Sequence, residues 1–300
     1  MFPAPSSTEP SAAIAAGTRL GPVSLVVSDL TRSQAFYTGA LGLAPSERDD
    51  GALALGVPGA DPVVVLHGDA RAPSLDRRAT GLYHLALLLP SRADLGHAIY
   101  RLAQARRPLD RASDHLVSEA LYLSDPDGNG IEIYRDRPRD EWRRDGGGQL
   151  QMATLPLDLR SIVGELGPDP APQPVVPAGT VMGHVHLQVA GIEEAEAFYH
   201  GVLGFDVTVR GYPGALFVSA GGYHHHLGLN TWHSAGAGPA APGAVGLRSF
   251  EVVLPTPADL DAIRDRIAAA GLDVEAGPAG AGDAVAVRDP SGNLVLLRAR

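Results

Sequence analysis

Histidine is the residue type through which this sequence could do metal chemistry, because its 300 residues include 11 histidines and no cysteine. Without cysteine the protein has no disulfides, thiolate zinc sites, iron–sulfur clusters or cysteine nucleophiles. A transition metal would therefore be held by nitrogen and oxygen ligands. Several histidines lie within alternating apolar segments, namely His84, His184, His186 and the run His224–His226.

Each of these histidines also has a simpler explanation when it is considered alone. A single histidine on an apolar strand, such as His84, is more often a core residue with satisfied hydrogen bonds than a ligand. Glu132 is harder to explain in this way, because it interrupts an apolar segment and a buried unpaired carboxylate is costly. The run His224–His226 falls in a predicted strand, where alternation would send 224 and 226 to one face and 225 to the other.

The composition excludes several other classes of function. With 24 basic and 34 acidic residues the net charge is -10, which argues against a nucleic-acid partner. No apolar run reaches the ~18 residues of a membrane span, and the N-terminus lacks the features of a secretory signal. We therefore expect a cytoplasmic protein with no membrane partner. At roughly 150 residues per domain, the length suggests about two domains.

The chain repeats itself at an offset of 162 residues. Residues 17–43 and 179–205 share twelve identical positions, including the tripeptide Ala-Phe-Tyr. GLYHLALLLP (81–90) likewise corresponds to GLRSFEVVLP (246–255), and DPDGNGIEI (125–133) to DPSGNLVLL (289–297). Such self-similarity indicates a duplicated unit.

Each unit is predicted to have an alternating strand, a short amphipathic helix, and further strands. The phrase Asp-Pro-x-Gly-Asn predicts a turn before the last strand rather than a calcium loop, which would need twelve spaced residues. The pattern starts four times, near residues 20, 81, 182 and 246. We predict a flexible tail over 1–16, an N-terminal domain over 17–140, a linker over 141–178 with a short helix at 157–166, and a C-terminal domain over 179–300.

These phrases resemble the vicinal oxygen chelate superfamily, which includes glyoxalase I, extradiol dioxygenases and bleomycin-resistance proteins. The resemblance covers about residues 17–136 and 179–300. It implies an α+β fold of four βαβββ modules in two domains. The two-half layout, with the phrases SEALYLSDPDGNGIEIY, GHVHLQV and GGYHHHLGLNTW, is most similar to CatE-type catechol 2,3-dioxygenases.

The resemblance also implies where a metal would bind. In the superfamily, ligands come from the first and last strands of modules that face each other as a cup. The first-strand positions here are Pro22, His84, His184 and Ser249, and the last-strand positions of modules two and four are Glu132 and Leu296. Only modules two and three therefore keep a ligand set, which is His84, Glu132 and His184.

Two histidines and one carboxylate form a facial triad that suits Fe(II), and also tolerates Mn(II), Ni(II) or Zn(II). The sequence leaves open whether His186 or His226 is a further ligand. It also leaves open whether modules two and three meet within one chain or between chains, and whether the protein is a homo-oligomer.

Three further residues are implied to take part in catalysis. A histidine beside the O2 site would move protons, and the alignment favours His225 over His226 for this role. Tyr122, ten residues before Glu132, would hydrogen-bond a catecholate oxygen, and His115 resembles a second pocket histidine. Each also has a structural explanation, as a packed strand residue or an exposed loop residue. The remaining histidines, which match no such context, are expected to be structural or superficial: His67, His97, His200 and His233.

The implied function is a metal-dependent extradiol-type dioxygenase that cleaves a catechol-like or hydroquinone-like ring with O2. One alternative is a glyoxalase-type isomerase or lyase, which would use His226 as a fourth protein ligand. Another is a metal-free binding protein of the antibiotic-resistance type, which would have an aromatic groove and no transition metal.

Overall fold

A computed structural model describes residues 13–48, 50–275, 277 and 284–300. The strands of this described part are β1 (Arg19–Val27), β2 (Ala44–Glu47), β3 (Leu53–Gly56), β4 (Pro62–Gly68), β5 (Gly81–Leu88), β6 (Arg111–Asp114), β7 (Ser118–Ser124), β8 (Gly130–Asp136), β9 (Leu155–Pro156), β10 (Val181–Gln188), β11 (Asp206–Val209), β12 (Ala215–Ser219), β13 (Leu227–Asn230), β14 (Gly246–Leu254), β15 (Val285–Arg288) and β16 (Leu294–Ala299). The helices are α1 (Leu30–Gly39), α2 (Arg92–Gln104), α3 (Leu159–Gly164), α4 (Ile192–Glu196) and α5 (Pro257–Ala269). A 3₁₀ turn covers Arg139–Glu141, and a π-helical turn, Ala197–Val202, continues α4.

The element order repeats the predicted module of one strand, one helix and three strands. Modules one to three comprise β1 to β4, β5 to β8 and β10 to β13. The described part of module four consists of β14, α5, β15 and β16. In addition, an isolated β-bridge pairs Glu275 with Ala286 of β15.

The strands form two sheets, and each sheet takes one module from each half of the chain. Among the described residues, the seven-stranded sheet has the order β15-β16-β14-β1-β4-β3-β2, in which β1 and β14 join modules one and four. The nine-stranded sheet has the order β11-β12-β13-β10-β5-β8-β7-β6-β9, in which antiparallel β5 and β10 join modules two and three. Modules two and three thus meet within one chain, which the sequence left open.

Residues of the repeated sequence motifs form hydrogen bonds between the two modules of each half. Asp125 caps its turn by accepting hydrogen bonds from the backbone N–H groups of Asp127 and Asn129, and Tyr37 of module one donates its hydroxyl to Asp125 at 3.1 Å. Tyr199 of module three donates in the same way to Asp289 of module four at 2.9 Å. Burial raises the pKa of both carboxyl groups, although these hydrogen bonds oppose the shift. The phrases Ala-Phe-Tyr and Asp-Pro-x-Gly-Asn therefore recur because each half uses the same docking contact.

The predicted linker packs against the N-terminal half. Within the predicted helical range 157–166, α3 packs against α2 and buries Ile162, while β9 extends the nine-stranded sheet beside β6. Of the predicted tail, residues 1–12 lie outside the described residues, and Ile14 is buried and donates its N–H to the carbonyl of Gly204. No helix in the described ranges is long and apolar enough to cross a membrane. The division into domains at 141–178 stays a prediction.

Candidate metal centre

Strand register places the predicted ligands on one face of the nine-stranded sheet. One row of directly opposite residues crosses five neighbouring strands and consists of Arg111, Tyr122, Glu132, Ala86 and His184. The next row, two residues along on the same face, consists of His84, His186, Gly228 and Phe217. Because residues at period two share a face, the two rows line a single cup.

Three side chains of these rows converge on one point. His84 Nε2 and His184 Nε2 each lie 3.0 Å from Glu132 Oε2 and 3.3 Å from each other. Among the described residues, these three form the group whose donor atoms could share one ion. Ligand atoms ~2.1 Å from an ion lie about 3.0 Å apart at octahedral angles and about 3.4 Å apart at tetrahedral angles. The observed spacing fits a facial set of ligands, although their role in binding a metal stays a prediction.

The cluster is buried, so its charges depend on one another. Burial by itself would raise the pKa of Glu132, but His184 and His84 outweigh it and hold that pKa well below its usual range. Burial lowers the pKa of His84, so its neutral form is favoured despite the nearby carboxylate. An ionised carboxylate beside the neutral imidazole of His84 is the protonation state that metal binding requires.

His186 lies beside this cluster without joining it. Its ring centroid is 4.9 Å from that of His84, and its Nε2 is buried without a hydrogen-bond partner among the described residues. A side chain at Gly228 would place its Cβ 2.9 Å from the His186 ring, so glycine is required there for this ring position. The structure thus places His186 beside the predicted ligand set, and whether it is a further ligand stays open.

The run His224–His226 is not part of a strand, which corrects the expected alternation. Strand β13 begins at Leu227, after a turn in which Gly221 and Gly222 have φ of 60° and 69°. His224 and His225 consequently touch each other through their Nδ1 atoms at 2.8 Å instead of facing opposite sides. The two rings are close enough for a proton to pass between them.

The structure places the side chain of His225 at the cavity and that of His226 away from it. The His225 ring centroid is 4.2 Å from that of His184, and the side chain lines the cavity in front of the cluster. His226 instead accepts a hydrogen bond from the N–H of Ala220 at its Nδ1, and burial lowers its pKa to about 3. The fourth ligand that the isomerase alternative requires is therefore outside the cluster.

Asp136 completes a hydrogen-bonded chain that sequence reasoning missed. His224 Nε2 lies 2.8 Å from Asp136 Oδ1 and must donate to it, because an ionised carboxylate only accepts. With His224 neutral, its Nδ1 accepts from His225 Nδ1–H, which leaves His225 Nε2 without a proton. The available signal was alternation, since Asp136 follows Glu132 and Tyr134 at period two on β8.

Tyr122 and His115 form a second hydrogen-bonded pair at the cavity. His115 Nδ1 lies 2.7 Å from the carbonyl of Ala153, which only accepts, so Nδ1 carries the proton. In neutral His115 the other nitrogen, Nε2, then accepts the hydroxyl of Tyr122 at 2.7 Å. Burial raises the pKa of Tyr122 well above its usual value, and Glu132 adds to the effect, so the residue stays a phenol.

Aromatic side chains form the remaining wall of this cavity: Tyr83, Tyr212, Phe217 and Trp232. The Trp232 ring lies 5.2 Å from that of Tyr83 and 5.4 Å from that of His186. A larger cavity of about 870 Å³ lies elsewhere and contains none of the predicted ligands. We assign the site by its convergent polar groups rather than by size.

Comparison with known proteins bears on both the fold and the family. Catechol-2,3-dioxygenase of Bacillus subtilis (strain 168) is 44% identical over 261 residues, which cover 86% of this chain and 90% of that protein. A solved structure from Bacillus subtilis subsp. subtilis str. 168 shares the fold with a TM-score of 0.65 and 16% identity, covering 96% of this chain and 86% of that chain. Glyoxalase I from Zea mays does so with a TM-score of 0.55 and 16% identity, covering 94% and 92%.

The predicted α+β fold of four modules is confirmed by these structures and by the family match. A family model described as the Glyoxalase/Bleomycin resistance protein/Dioxygenase superfamily matches residues 19–133 and 181–297, which are nearly the two halves of the internal repeat. The duplicated modules and their paired sheets thus have a common explanation: the chain belongs to the glyoxalase/bleomycin resistance protein/dioxygenase superfamily.

Proposed function

We propose that this protein is a metal-dependent extradiol-type dioxygenase that cleaves a catechol-like ring. The observation that carries the proposal is the buried convergence of His84, Glu132 and His184 in a chain so similar to a catechol-2,3-dioxygenase. The reaction inserts both atoms of O2 and breaks the ring carbon–carbon bond beside the diol. Hydroquinone-like rings are a second substrate class to be tested.

Fe(II) is the metal we propose for the cluster. Held by two histidines and one carboxylate, it keeps positions open for small ligands and supplies the electron transfer that ring cleavage by O2 requires. Mn(II) accepts the same ligand types, and Ni(II) and Zn(II) also bind imidazole and carboxylate. The donor spacing of 3.0–3.3 Å supports a facial set for any octahedral ion.

Tyr122 and His115 are proposed to orient one substrate oxygen. Tyr122 stays protonated and donates to His115 Nε2, so its own oxygen is available to accept a hydrogen bond from a substrate hydroxyl. His115 is fixed in turn by the carbonyl of Ala153. A substrate held between this pair and the ligand cluster has its diol edge directed toward Glu132.

His225 is proposed to accept and return a proton during the reaction. Burial, together with the neighbouring histidines, lowers its pKa well below the usual range, so the residue is neutral at rest and would hold an accepted proton only transiently before returning it. The chain Asp136–His224–His225 directs the proton of His225 to Nδ1 and leaves Nε2 as the basic atom. General bases contribute typically 10²–10⁴-fold to such reactions.

Oxygen uptake tests the proposal directly. Protein purified without chelator or affinity nickel would be loaded with Fe(II) under anaerobic conditions and mixed with a panel of catechols and hydroquinones at an oxygen electrode. We expect O2 consumption that is stoichiometric with the ring-opened product. Protein that holds one Fe(II) per chain and consumes no O2 with any of them would refute the proposal.

The two alternatives give different outcomes in the same assay. A glyoxalase-type isomerase would bind metal and use no O2. A metal-free binding protein would retain no transition metal on elemental analysis, yet would bind an aromatic ligand. The Glu132→Ala variant is the matched control, because it should lose both metal and O2 uptake.

A further inference from the structure

Arg111 is a cation at the cavity that forms no ion pair with Glu132 of the cluster. It lines the cavity, yet its side chain is exposed at the start of β6. The other formally charged group of the lining is Glu132, which the two histidines already neighbour. Within the described ranges, Arg111 takes part in no ion pair with a carboxylate.

The position of Arg111 is fixed by the sheet. It lies directly opposite Tyr122 in the β6–β7 pairing, and its guanidinium carbon is 4.3 Å from the centroid of the Tyr122 ring. Stacking on an aromatic face holds the guanidinium plane, and Arg111 also hydrogen-bonds the Tyr122 side chain, which leaves its other N–H groups to bind an anion. The cation is thus held in place at the cavity without being neutralised.

The strand register determines how far Arg111 lies from the cluster. Arg111, Tyr122 and Glu132 are opposite one another on three successive strands, so two strand spacings, or about 9.5 Å, separate the first and third backbones. A ring held with its diol edge at the cluster points its far edge along this row. Arg111 would then meet a substituent on the far edge, while Trp232 and the other aromatic residues contact the ring.

We propose that Arg111 binds an anionic substituent on the substrate ring, so that the preferred substrates are catechols that carry a carboxylate. This inference rests on the proposed function of the same cavity. The physical reason is charge pairing: a guanidinium binds a carboxylate through two parallel hydrogen bonds, and no carboxylate of the described residues forms an ion pair with Arg111. The wider protein is acidic, with a net charge of -10, so this local cation is needed to favour an anion.

The test compares three catechols that differ in the charge of one side chain. They are 3,4-dihydroxyphenylacetate, which is anionic, 4-ethylcatechol, which is neutral, and dopamine, which is cationic. In the two charged compounds at least one methylene group separates the charge from the ring. Fe(II)-loaded wild type, Arg111→Met, Arg111→Lys and Arg111→Glu would be assayed for kcat/KM by O2 uptake. Their dissociation constants would be measured by anaerobic calorimetry. Arg264→Met is the control, because Arg264 is exposed on α5 and pairs with Asp261.

We expect the wild type to prefer the anionic catechol over the neutral one. Arg111→Met should reduce that preference about tenfold, mainly through KM, because a partly exposed charge-assisted hydrogen bond is lost. Arg111→Lys should retain part of the preference, and Arg111→Glu should favour dopamine. Arg264→Met should match the wild type. A preference that Arg111→Met changes by less than twofold, or that Arg264→Met reduces equally, would overturn the inference.

The proposed function and this inference fail in different ways. If no catechol supports O2 uptake, yet the dissociation constants still depend on the charge of residue 111, the reaction is wrong and the anion site stands. If all three catechols are cleaved with the same charge preference in every variant, the reaction stands and the anion site is refuted.

Discussion

Removing the carboxylate of Asp136 should slow turnover without removing the metal. Asp136 contacts none of the three predicted ligands in the hydrogen bonds of the structure, and it acts on the cavity through His224 and His225. We therefore treat it as a positioning residue. Its replacement tests whether the hydrogen-bonded chain sets the protonation of His225.

The expected magnitude follows from the contact that is lost. His224 Nε2 donates to Asp136 Oδ1 at 2.8 Å, and the Asp136 side chain is 23% exposed, so the lower end of the range for charged hydrogen bonds applies, about 1.5 kcal/mol. At about 1.4 kcal/mol per factor of ten, Asp136→Ala should lower kcat about tenfold. Asp136→Asn keeps a neutral acceptor of roughly half that strength and should lower kcat about threefold.

The assay is steady-state O2 uptake with kcat and KM determined separately, together with iron content per chain. We expect KM and iron content to stay within twofold of the wild type, with the loss confined to kcat and accompanied by a changed solvent isotope effect. Tyr223→Phe is the matched control, since it removes the other hydrogen bond to Asp136 Oδ1, at 3.2 Å, and leaves His224 in contact. An unchanged kcat in Asp136→Ala, or a parallel loss of iron, would refute this reasoning.

Three further predictions concern the cluster, the tyrosine and a buried histidine. Glu132→Ala should reduce iron content on reconstitution by at least about tenfold, because one proposed ligand is lost. Ser249→Ala and Leu296→Ala should retain iron, and its loss in these two variants would show that the metal binds in the seven-stranded sheet instead. Tyr122→Phe should keep iron and lower kcat about tenfold or more, measured by O2 uptake. His226 has a folded pKa of about 3, so the unfolded chain gains a proton first and stability should fall as pH decreases from ~6.5 to ~3, by about 1.4 kcal/mol per unit from this residue; urea unfolding of His226→Asn should show a correspondingly shallower pH dependence.

The repeat made much of the fold and the proposed ligand set accessible from the sequence. Aligning the halves compares like positions on like strands, and at those positions His84, Glu132 and His184 stand where the counterparts are Ser249, Leu296 and Pro22. The structure then brings the three side chains within 3.3 Å of one another. The resemblance to the superfamily supplied the ligand positions, and the repeat alignment then showed which modules carry ligand-type residues there.

Contacts that depend on strand register could not be read in the same way. Arg111 meets Tyr122, and Asp136 meets His224, through pairings between distant segments that no local period specifies. The run of histidines was assigned to a strand because the apolar residues that follow it continue the pattern. In the structure the backbone of His226 still bonds the neighbouring strands, donating to the carbonyl of Val218 and accepting from the N–H of Val185. The strand pattern fails at His224 and His225, where the His224 carbonyl accepts the hydroxyl of Thr208 instead.

The seven-stranded sheet shows how the second cup of the duplicated frame differs from the cup that contains the proposed ligands. Glu251 occupies the position that corresponds to Ala86, and it forms an ion pair with Arg298 at 2.6 Å beside Leu296. A carboxylate paired to a guanidinium needs no ion for neutralisation. In the nine-stranded sheet the corresponding residue is Ala86, which carries no charge, and Glu132 is hydrogen-bonded to the imidazoles of His84 and His184. The same frame therefore supports one cup whose carboxylate is paired with a guanidinium and another whose carboxylate is hydrogen-bonded to two imidazoles, which is the donor set proposed to bind the metal.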